Sequence, residues 1–304
     1  MITSVHNPRV KAAARLREAR QRQKQGRIII DGARELLRAI EAGVEVVEAF
    51  VCEELCRSED CRALVDKLSH RGSAEIIPVA RNVLEKLAFG ARAEGVVSVA
   101  RMPATSFASL ESHVGESLRS TIRRGEDSHP RLGEPRPREL ITVLEGVEKP
   151  GNMGAVLRSA DAAGVSALIV ADGGTDLYNP NAIRASLGTI FTVPVCAASS
   201  DEVLAWLKAK KLAIYAARVD AQLEYTAADF TRPCAIVLGS EASGLTDVWR
   251  AEDSGSMPSA TDTASAITPI KLPMLGVADS LNVSAAAAVL FYEALRQQRA
   301  TNAE

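Results

Sequence analysis

Five short apolar segments recur between residues 140 and 241, and a polar or glycine-bearing loop follows each of them. In chain order they read LITVLEGV, ALIVAD, TVPVCA, LAIYAAR and CAIVLGSE. Short apolar runs without alternation are typical of strands buried on both faces, as in parallel sheets covered by helices. Helices are predicted near 153–163, 180–187, 201–210 and 283–299. We therefore predict an α/β domain with a parallel sheet and with ligand sites at the carboxyl ends of its strands.

The first hundred residues alternate in the same way on a smaller scale. A basic helix is predicted over residues 5–25, and strands that alternate with helices follow it in the segments GRIIID, VEVVEAFV, AEIIPVA and EGVVSVAR. Residues 102–139 combine prolines, glycines, serines and mixed charge, which is typical of a linker or a poorly ordered insertion. We predict a small N-terminal α/β domain over 1–101, a linker over 102–139 and a second α/β domain over 140–304.

Charge is distributed unevenly along the chain. Residues 1–27 hold eight lysines or arginines and one acid, Glu18, which is a net charge of +7, against −2 for the whole chain. Such a run is usually a solvated helix, and the alternative is contact with nucleic-acid phosphates. The longest apolar run, AAAAVLFY, is too short to span a bilayer. We expect a cytoplasmic protein in which the cysteines, Cys52, Cys56 and Cys61 among them, are reduced thiols, since their spacing fits no common zinc pattern.

Three glycine-bearing segments stand where a strand ends or a helix begins, and none matches the dinucleotide or Walker fingerprints. They are EGVEKPGNMGAVLRSADAAG, IVLGSEASGL and KLPMLGVADSLNVSAAAAVLFYEAL. If a helix begins near Met153, the Arg158 side chain leans back toward the loop that holds Asn152, where N–H groups and the helix dipole favour an anion. The simpler interpretation is a solvent-facing arginine with Asn152 as the N-cap.

The other two segments also have simpler interpretations when each is considered alone. Glu241 is a base, a partner that orients Arg158, or an exposed loop carboxylate. Ser280 and Asn282 precede a helix, where these residue types commonly serve as caps. No single segment decides between the functional and the structural interpretation.

Together and in this order, the three segments resemble the motifs of the SpoU/TrmH family of S-adenosylmethionine-dependent RNA 2′-O-ribose methyltransferases. The residues that match are Asn152, Gly154 and Arg158 in the first motif, Gly239, Glu241 and Gly244 in the second, and Pro273, Met274, Gly276, Ser280, Leu281 and Asn282 in the third. The stretch 178–195 resembles the family's segment between the first two motifs, and 7–37 resembles its RNA-binding substrate domain. Two stretches, 102–139 and 246–270, are longer than the family pattern, and Asp31 replaces a usual glutamate.

The resemblance implies a methyltransferase domain tied in a deep trefoil knot, and a homodimer with active sites at the subunit interface. It implies S-adenosylmethionine as cofactor, no metal, and a cofactor pocket formed by Leu238, Gly239, Leu272, Met274, Gly276 and Leu281. The catalytic residues that it implies are Asn152, Arg158, Glu241, Ser280 and Asn282. Arg158 is expected to meet the target ribose, either as a base or, because a guanidinium stays protonated, as a group that stabilises charge.

Beside such a domain, the basic run and the first domain are interpreted as an RNA-binding surface, with Arg9, Lys11 and Arg34 as candidates. The low aromatic content, 4%, argues against base stacking as the main grip. Ribosomal RNA is favoured over transfer RNA. Two alternatives stay open: a non-catalytic RNA-binding or ribosome-assembly protein on the same scaffold, and an α/β enzyme that uses another nucleotide.

Overall fold

The computed structural model describes residues 1–71, 74–89, 94–112, 139–173, 176–250 and 266–301. The chain forms two compact units, the first from Met1–Ala104 with Asp176–Thr192, and the second from Thr105–Thr175 with Val193–Glu304. The bounds predicted at residues 101 and 140 stay a prediction. Residues 176–192, predicted within the second domain, pack within the first unit.

The first unit is a mixed four-stranded sheet with helices packed against it. Its strands are β1 (Arg27–Asp31), β2 (Val46–Val51), β3 (Glu75–Pro78) and β4 (Val96–Arg101). Its helices are α1 (Pro8–Arg15), α2 (Ala19–Gln25), α3 (Ala33–Glu41), α4 (Glu59–Arg71) and α5 (Arg81–Leu87), together with the short helix Pro180–Ala185, which lies within the helix predicted at 180–187. The strand order is β1-β4-β2-β3, in which only β2 and β3 are parallel. The strands form where the sequence predicted them, because each is a short apolar run bounded by turn residues.

The basic helix predicted over residues 5–25 is interrupted between α1 and α2. Arg22 folds back across the break and donates to the carbonyls of Leu16 at 2.7 Å and Arg17 at 2.8 Å. Its side chain is 1% exposed and pairs with Asp176 at 2.7 Å. A buried guanidinium needs such partners. Arg22 therefore stabilises the fold of the unit and does not contribute to its positively charged surface.

The second unit is a seven-stranded sheet in which every pair is parallel. Its strands are β5 (Leu140–Glu145), β6 (Ala167–Ala171), β7 (Val195–Ala198), β8 (Ala213–Ala217), β9 (Leu223–Glu224), β10 (Cys234–Leu238) and β11 (Ile267–Lys271). The strand order is β7-β6-β5-β10-β8-β11-β9, and the helices include α6 (Pro150–Ala163), α7 (Ser200–Ala209) and α8 (Val283–Thr301). The predicted parallel sheet is confirmed. None of the described helices has the length and apolarity to cross a membrane.

The sequence did not predict β9 and β11, which lie at one edge of this sheet. β11 contains Pro269, which lacks a backbone N–H and argues against a central strand. The pairing with β9 involves only Ile270 and Lys271, so Pro269 needs no partner on that side. A short neighbouring strand therefore lets proline occupy a position that sequence patterns exclude.

The two long polar stretches are described only in part. Residues 107–112 of the predicted linker form a helical turn, and Phe107 stacks on Trp206 with ring centroids 5.3 Å apart. The rest of the linker, 113–138, and residues 251–265 of the 246–270 insertion lie outside the described residues.

The cysteines differ from the expectation of reduced thiols. Cys56 and Cys61 form a disulfide with Cα atoms 5.5 Å apart, because the chain turns between them to begin α4. The expectation is therefore wrong for this pair. Cys52, Cys196 and Cys234 are free and buried, and burial raises the pKa of the Cys234 thiol to about 12.

Candidate active site

The sheet of the second unit brings together the segments that follow β5 and β10, at the edge formed by the carboxyl ends of its strands. These neighbouring strands are parallel and in register, with Leu144 opposite Leu238. Strands β6 and β7 continue the sheet on one side of this pair, and β8 and β11 continue it on the other. In an open parallel sheet, ligands bind at the carboxyl ends of two neighbouring strands from which the chain continues to opposite sides of the sheet.

Side chains from all three motifs meet at this edge. Asn152 Nδ2 donates to Glu241 Oε1 at 2.9 Å, and Asn282 Nδ2 donates to the same oxygen. Asn282 Nδ2 also lies 3.4 Å from Asn152 Oδ1, although the two residues are 130 positions apart in sequence. Lys149 Nζ donates to Glu241 Oε2 at 3.0 Å. One carboxylate therefore links the three motifs.

The two asparagines differ in how they relate to their helices. α6 begins at Pro150 with Lys149 as its N-cap, so Asn152 lies in the first turn and its amide is free to reach Glu241. The interpretation of Asn152 as the N-cap is wrong. Asn282 does cap α8, since its Oδ1 accepts from the Ser284 N–H at 2.9 Å, and its amide nitrogen still reaches Glu241.

The Glu241 carboxylate is ionised at neutral pH. The hydrogen bond from Lys149 lowers its pKa, and the Val283 N–H and the Asn152 amide add to this effect against the cost of partial desolvation. Its side chain is 29% exposed. An ionised carboxylate that already accepts several hydrogen bonds orients donors well and is a poor general base near pH 7.

Arg158 lies apart from this hydrogen-bonded cluster. It is exposed on α6, and no described residue forms a hydrogen bond or an ion pair with it. The expected bond from Glu241 to Arg158 is absent from the described chain, where Glu241 is instead bound by Lys149 and the two asparagines. Arg158 shares its helix face with the small residues Gly151 and Ala155, which leave the guanidinium accessible to a ligand.

The loop after β10 closes tightly because Gly239 has no side chain. A Cβ at this position would lie 2.2 Å from the carbonyl carbon of Gly244 and 2.5 Å from the nitrogen of Leu245. The Gly244 N–H donates to the Ser240 carbonyl at 3.0 Å, which completes the turn. The turn holds Glu241 at the sheet edge.

Four of the remaining cofactor candidates lie in an open loop over 272–282, and the fifth, Leu238, ends β10. Leu238 is buried in the sheet, Leu272 and Met274 are half-buried, and Gly276 and Leu281 are exposed. A Cβ at Gly276 would meet nothing within 4 Å. Open backbone beside apolar side chains at strand ends fits a ligand with a planar apolar part and a polar edge. Within the described ranges, no group of three or more His, Cys, Asp or Glu side chains could hold a metal ion.

The Ser280 side chain is exposed in the same loop, and no described residue forms a hydrogen bond with it. It has no capping role in the described chain, unlike its neighbour Asn282. The hydroxyl is therefore available to a ligand at the sheet edge.

The RNA-binding candidates of the first unit differ in availability. Arg9 Nη2 pairs with Glu48 and with Glu75, both at 2.6 Å, so two carboxylates already bind its guanidinium. Lys11 and Arg34 are exposed, and Arg34 borders a cavity of about 540 Å³ within this unit. The other exposed cations of the basic run are Arg15, Arg20, Lys24 and Arg27.

Two residues at the sheet edge were not predicted from the sequence. Lys149 binds Glu241, as described above, and Glu145 is a buried carboxylate that ends β5 and is 2% exposed. The only sequence signal for Glu145 is an acid that ends an otherwise apolar strand. Lys149 has no distinctive signal, because it is one charged residue in a polar loop.

Two family models match the chain. The SpoU rRNA Methylase family matches residues 139–292, and the MRM3-like substrate binding domain matches residues 7–98. The first match covers the sheet, α6 and the three motifs. The second covers β1, β2, β3, the start of β4 and the cations of the basic run.

Individual proteins resemble the chain over different lengths. The 23S rRNA (uridine(2479)-2′-O)-methyltransferase of Streptomyces viridochromogenes is 34% identical over 165 residues, which are 52% of this chain and 53% of that protein. The chain thus aligns with about half the length of this relative. A crystal structure of an RNA 2′-O ribose methyltransferase is 40% identical, with a TM-score of 0.73 and 98% of both chains covered.

A further structure is that of the SpoU methyltransferase AviRb from Streptomyces viridochromogenes in complex with the cofactor AdoMet. It is 26% identical, with a TM-score of 0.75 over 96% of this chain and 98% of that one. The similarity in fold therefore extends over both units, including the one outside the three motifs.

Proposed function

Because this chain belongs to the SpoU rRNA Methylase family, we propose that it methylates a ribose 2′-hydroxyl of RNA with S-adenosylmethionine as the methyl donor. The observation that carries the proposal is the meeting of Asn152, Glu241 and Asn282, one residue from each motif, at the edge where a parallel sheet binds ligands. Ribosomal RNA is the proposed substrate class, because the Streptomyces relative is named for 23S rRNA.

The proposed cofactor pocket consists of Leu238, Gly239, Leu272, Met274, Gly276 and Leu281. When bound, S-adenosylmethionine supplies an electrophilic methyl group on a sulfonium sulfur. The apolar side chains and open backbone of the 272–282 loop suit the adenosine, as described above. The pocket's contribution is alignment of donor and acceptor, which supplies at most about 7–11 kcal/mol of a barrier.

The catalytic role of Arg158 is to stabilise charge at the ribose. The ribose oxygen forms the new O–CH₃ bond, the S–CH₃ bond breaks with its electron pair kept by sulfur, and the hydroxyl proton passes to solvent. A protonated guanidinium stabilises negative charge on that oxygen and holds the neighbouring phosphate. Arg158 has no partner among the described residues, so its donors are available for both tasks.

The other catalytic candidates hold the site in shape. The ionised Glu241 fixes Asn152 and Asn282, and thereby holds the first and third motifs against the second. The exposed hydroxyl of Ser280 is proposed to contact the ribose. Removal of Glu241 therefore affects binding of both ligands, whereas removal of Arg158 affects the chemical step.

The first unit is proposed to bind RNA through phosphate contacts. Lys11 and Arg34 are the stronger of the predicted candidates, because the Arg9 guanidinium is already bound by two carboxylates. The exposed cations of α1 and α2 are further candidates for phosphate contacts. Contacts of this kind position RNA without reading its sequence.

We also propose a cytoplasmic homodimer with a knotted second unit, as the resemblance implies. Exposed apolar side chains support an interface in that unit, namely Leu275, which is 98% exposed, Val277 in the same loop, and Val289 and Tyr292 of α8. Val289 and Tyr292 are three positions apart and lie on one helix face, and an exposed apolar face marks a surface that a partner covers.

The experiment is methyl transfer from labelled S-adenosylmethionine to unmodified ribosomal and transfer RNA, followed by digestion to nucleosides. Wild-type protein should yield a labelled 2′-O-methyl nucleoside from ribosomal RNA. The Arg158→Ala variant should lose about 10²–10³ in kcat, the loss typical when one charge-stabilising donor is removed, and should keep its affinity for S-adenosylmethionine.

The matched control is Arg232→Ala, which removes a 41%-exposed arginine elsewhere in the same unit. It should transfer methyl groups at the wild-type rate. Label in the base instead of the ribose would disprove ribose methylation. Absence of S-adenosylmethionine binding would favour a non-catalytic RNA-binding protein.

A further inference from the structure

Glu145 forms a buried hydrogen-bonded hub at the carboxyl end of β5. Its Oε1 accepts from Ser200 Oγ at 2.7 Å, Thr246 Oγ1 at 2.7 Å and Trp249 Nε1 at 2.8 Å. Its Oε2 accepts from the backbone N–H of Thr246 at 2.7 Å. All four bonds are short, and all four partner atoms are donors.

The hub contains no described cation. Glu145 is 2% exposed, and none of the described lysines or arginines pairs with it. Burying a carboxylate is costly, and here four hydrogen bonds offset that cost in place of an ion pair. A carboxylate offers two oxygens that together can accept all four bonds, whereas an amide offers one oxygen and an NH₂ group that cannot accept. The chemistry of the site therefore requires Glu or Asp at this position.

Two of the three partner residues, Thr246 and Trp249, belong to the segment that follows the second motif, and the third, Ser200, begins α7. Gly239 begins the tight loop after β10, and Thr246 and Trp249 follow its end. The loop is thus held at its start by the packing of Gly239 on Gly244, and at its end by Glu145. Glu241 lies between these two fixed points.

Glu145 also precedes the segment that leads to Asn152. A Cβ on the next residue, Gly146, would lie 3.7 Å from the Ser240 Cβ, so the first and second motif segments run side by side from this point. Glu145 therefore lies where the two loops that Asn152 and Glu241 bridge leave the sheet.

We propose that Glu145 is a positioning residue for the S-adenosylmethionine site: it fixes the loop of the second motif through Thr246 and Trp249 without touching cofactor or RNA. The inference rests on the proposed function, since it concerns the same site. It assigns to Glu145 control over cofactor affinity, and leaves the chemical step to Arg158.

The test uses the Glu145→Gln variant, which has nearly the same shape. If the amide oxygen takes the place of Oε1, the amide nitrogen faces the Thr246 N–H and that loop contact is lost. The dissociation constant for S-adenosylmethionine, measured by calorimetry, should rise about tenfold. The KM for the cofactor should rise with it, and kcat at saturating cofactor should change less than about threefold.

A second readout needs no ligand. Hydrogen exchange of backbone amides between residues 239 and 249 should accelerate in the Glu145→Gln variant. The Glu145→Asp variant keeps the carboxylate on a shorter side chain, so its affinity for S-adenosylmethionine should lie between those of Glu145→Gln and wild type. If the Glu145→Gln variant does not fold, the Glu145→Asp variant is tested in its place.

Thr142→Val is the matched control. Thr142 lies on the same strand, is fully buried, and donates to the Ile236 carbonyl of β10 at 3.4 Å. Its replacement removes a buried hydrogen bond from the same strand pair without touching the loop. The melting temperature of this variant should fall, and its affinity for the cofactor should stay at the wild-type value.

An affinity for S-adenosylmethionine within about twofold of wild type in folded Glu145→Gln protein, or an equal loss in Thr142→Val, would overturn the inference alone. Failure of the wild-type protein to bind S-adenosylmethionine would overturn the proposed function and, with it, the ligand named here.

Discussion

Asp31 is a carboxylate that the fold buries at a cost. It ends β1 and accepts from the Phe89 N–H at 2.7 Å through Oδ2, while Oδ1 is buried without a partner among the described residues. Burial raises its pKa to about 6, and the nearby Glu94 and Glu35 add to this effect against the Phe89 N–H and Arg184. Asp31 therefore binds its proton more tightly in the folded protein than in the unfolded chain.

This shift predicts the sign of a pH effect at Asp31. The contribution of the protonated carboxyl to stability is fully present below the unfolded value of 3.8 and is lost as pH rises through about 6. The Asp31→Asn side chain stays neutral at every pH. As pH rises from 3.8 to beyond about 6, the free energy of unfolding of the variant should therefore increase relative to that of wild type, by on the order of 2–3 kcal/mol. The difference in melting temperature between the two proteins, measured from about pH 4 to pH 7, tests this.

Glu53→Gln removes an exposed charge in the same unit and is the control for Asp31→Asn. If both variants respond to pH alike, the burial of Asp31 is not the cause of the effect.

Among the elements, the loop after β10 depends most on one residue type. An added Cβ at Gly239 meets backbone atoms of Gly244 and Leu245, which have no rotamer by which to move away. At Gly151, in the first turn of α6, an added Cβ meets nothing within 4 Å. The two glycines therefore differ in what they contribute to stability: close packing requires Gly239, whereas Gly151 only lowers the stability of its helix.

The Gly239→Ala variant should open this loop. We expect a loss of about 1–3 kcal/mol in stability, as for overpacked cores, and at least a tenfold weaker binding of S-adenosylmethionine. Gly151→Ala should instead gain up to about 1 kcal/mol, because alanine is the better helix former. Thermal unfolding and calorimetric titration of both variants give the comparison, and equal destabilisation by the two changes would contradict it.

At the scale of the whole molecule, the exposed apolar face of α8 bears on assembly. Val289 is 38% exposed and Tyr292 is 52% exposed, and their spacing of three residues places them on one helix face. Val219, on the loop after β8, is 74% exposed and offers a comparison outside that face.

The proposed homodimer predicts that charge on the α8 face breaks assembly. A Val289→Arg, Tyr292→Arg double variant should run as a monomer in light scattering where wild-type protein runs as a dimer, because buried unpaired charges oppose association. Val219→Arg should stay dimeric. A wild-type monomer at micromolar concentration would refute the proposed assembly.

The sequence alone determined most of the strands and the motif residues. Apolar runs such as those of β5 and β10 are local signals, and strand formation follows from a few neighbouring residues, so these strands lie where the sequence predicted them. The spacing from Asn152 to Arg158 is also local. Together with the second and third motifs it identified the family, which the family model confirms.

Only the tertiary structure decided which side chains meet. Three contacts depend on how segments far apart in sequence pack together. Asn152 binds Glu241 instead of capping α6, Arg22 is buried against Asp176, and Glu145 accepts from donors 55 to 104 positions away. A hydrogen bond requires two groups within about 3.5 Å, and local pattern holds no information on distances between residues far apart in sequence. The sequence therefore specified the parts of this protein, and the order of its strands specified the site.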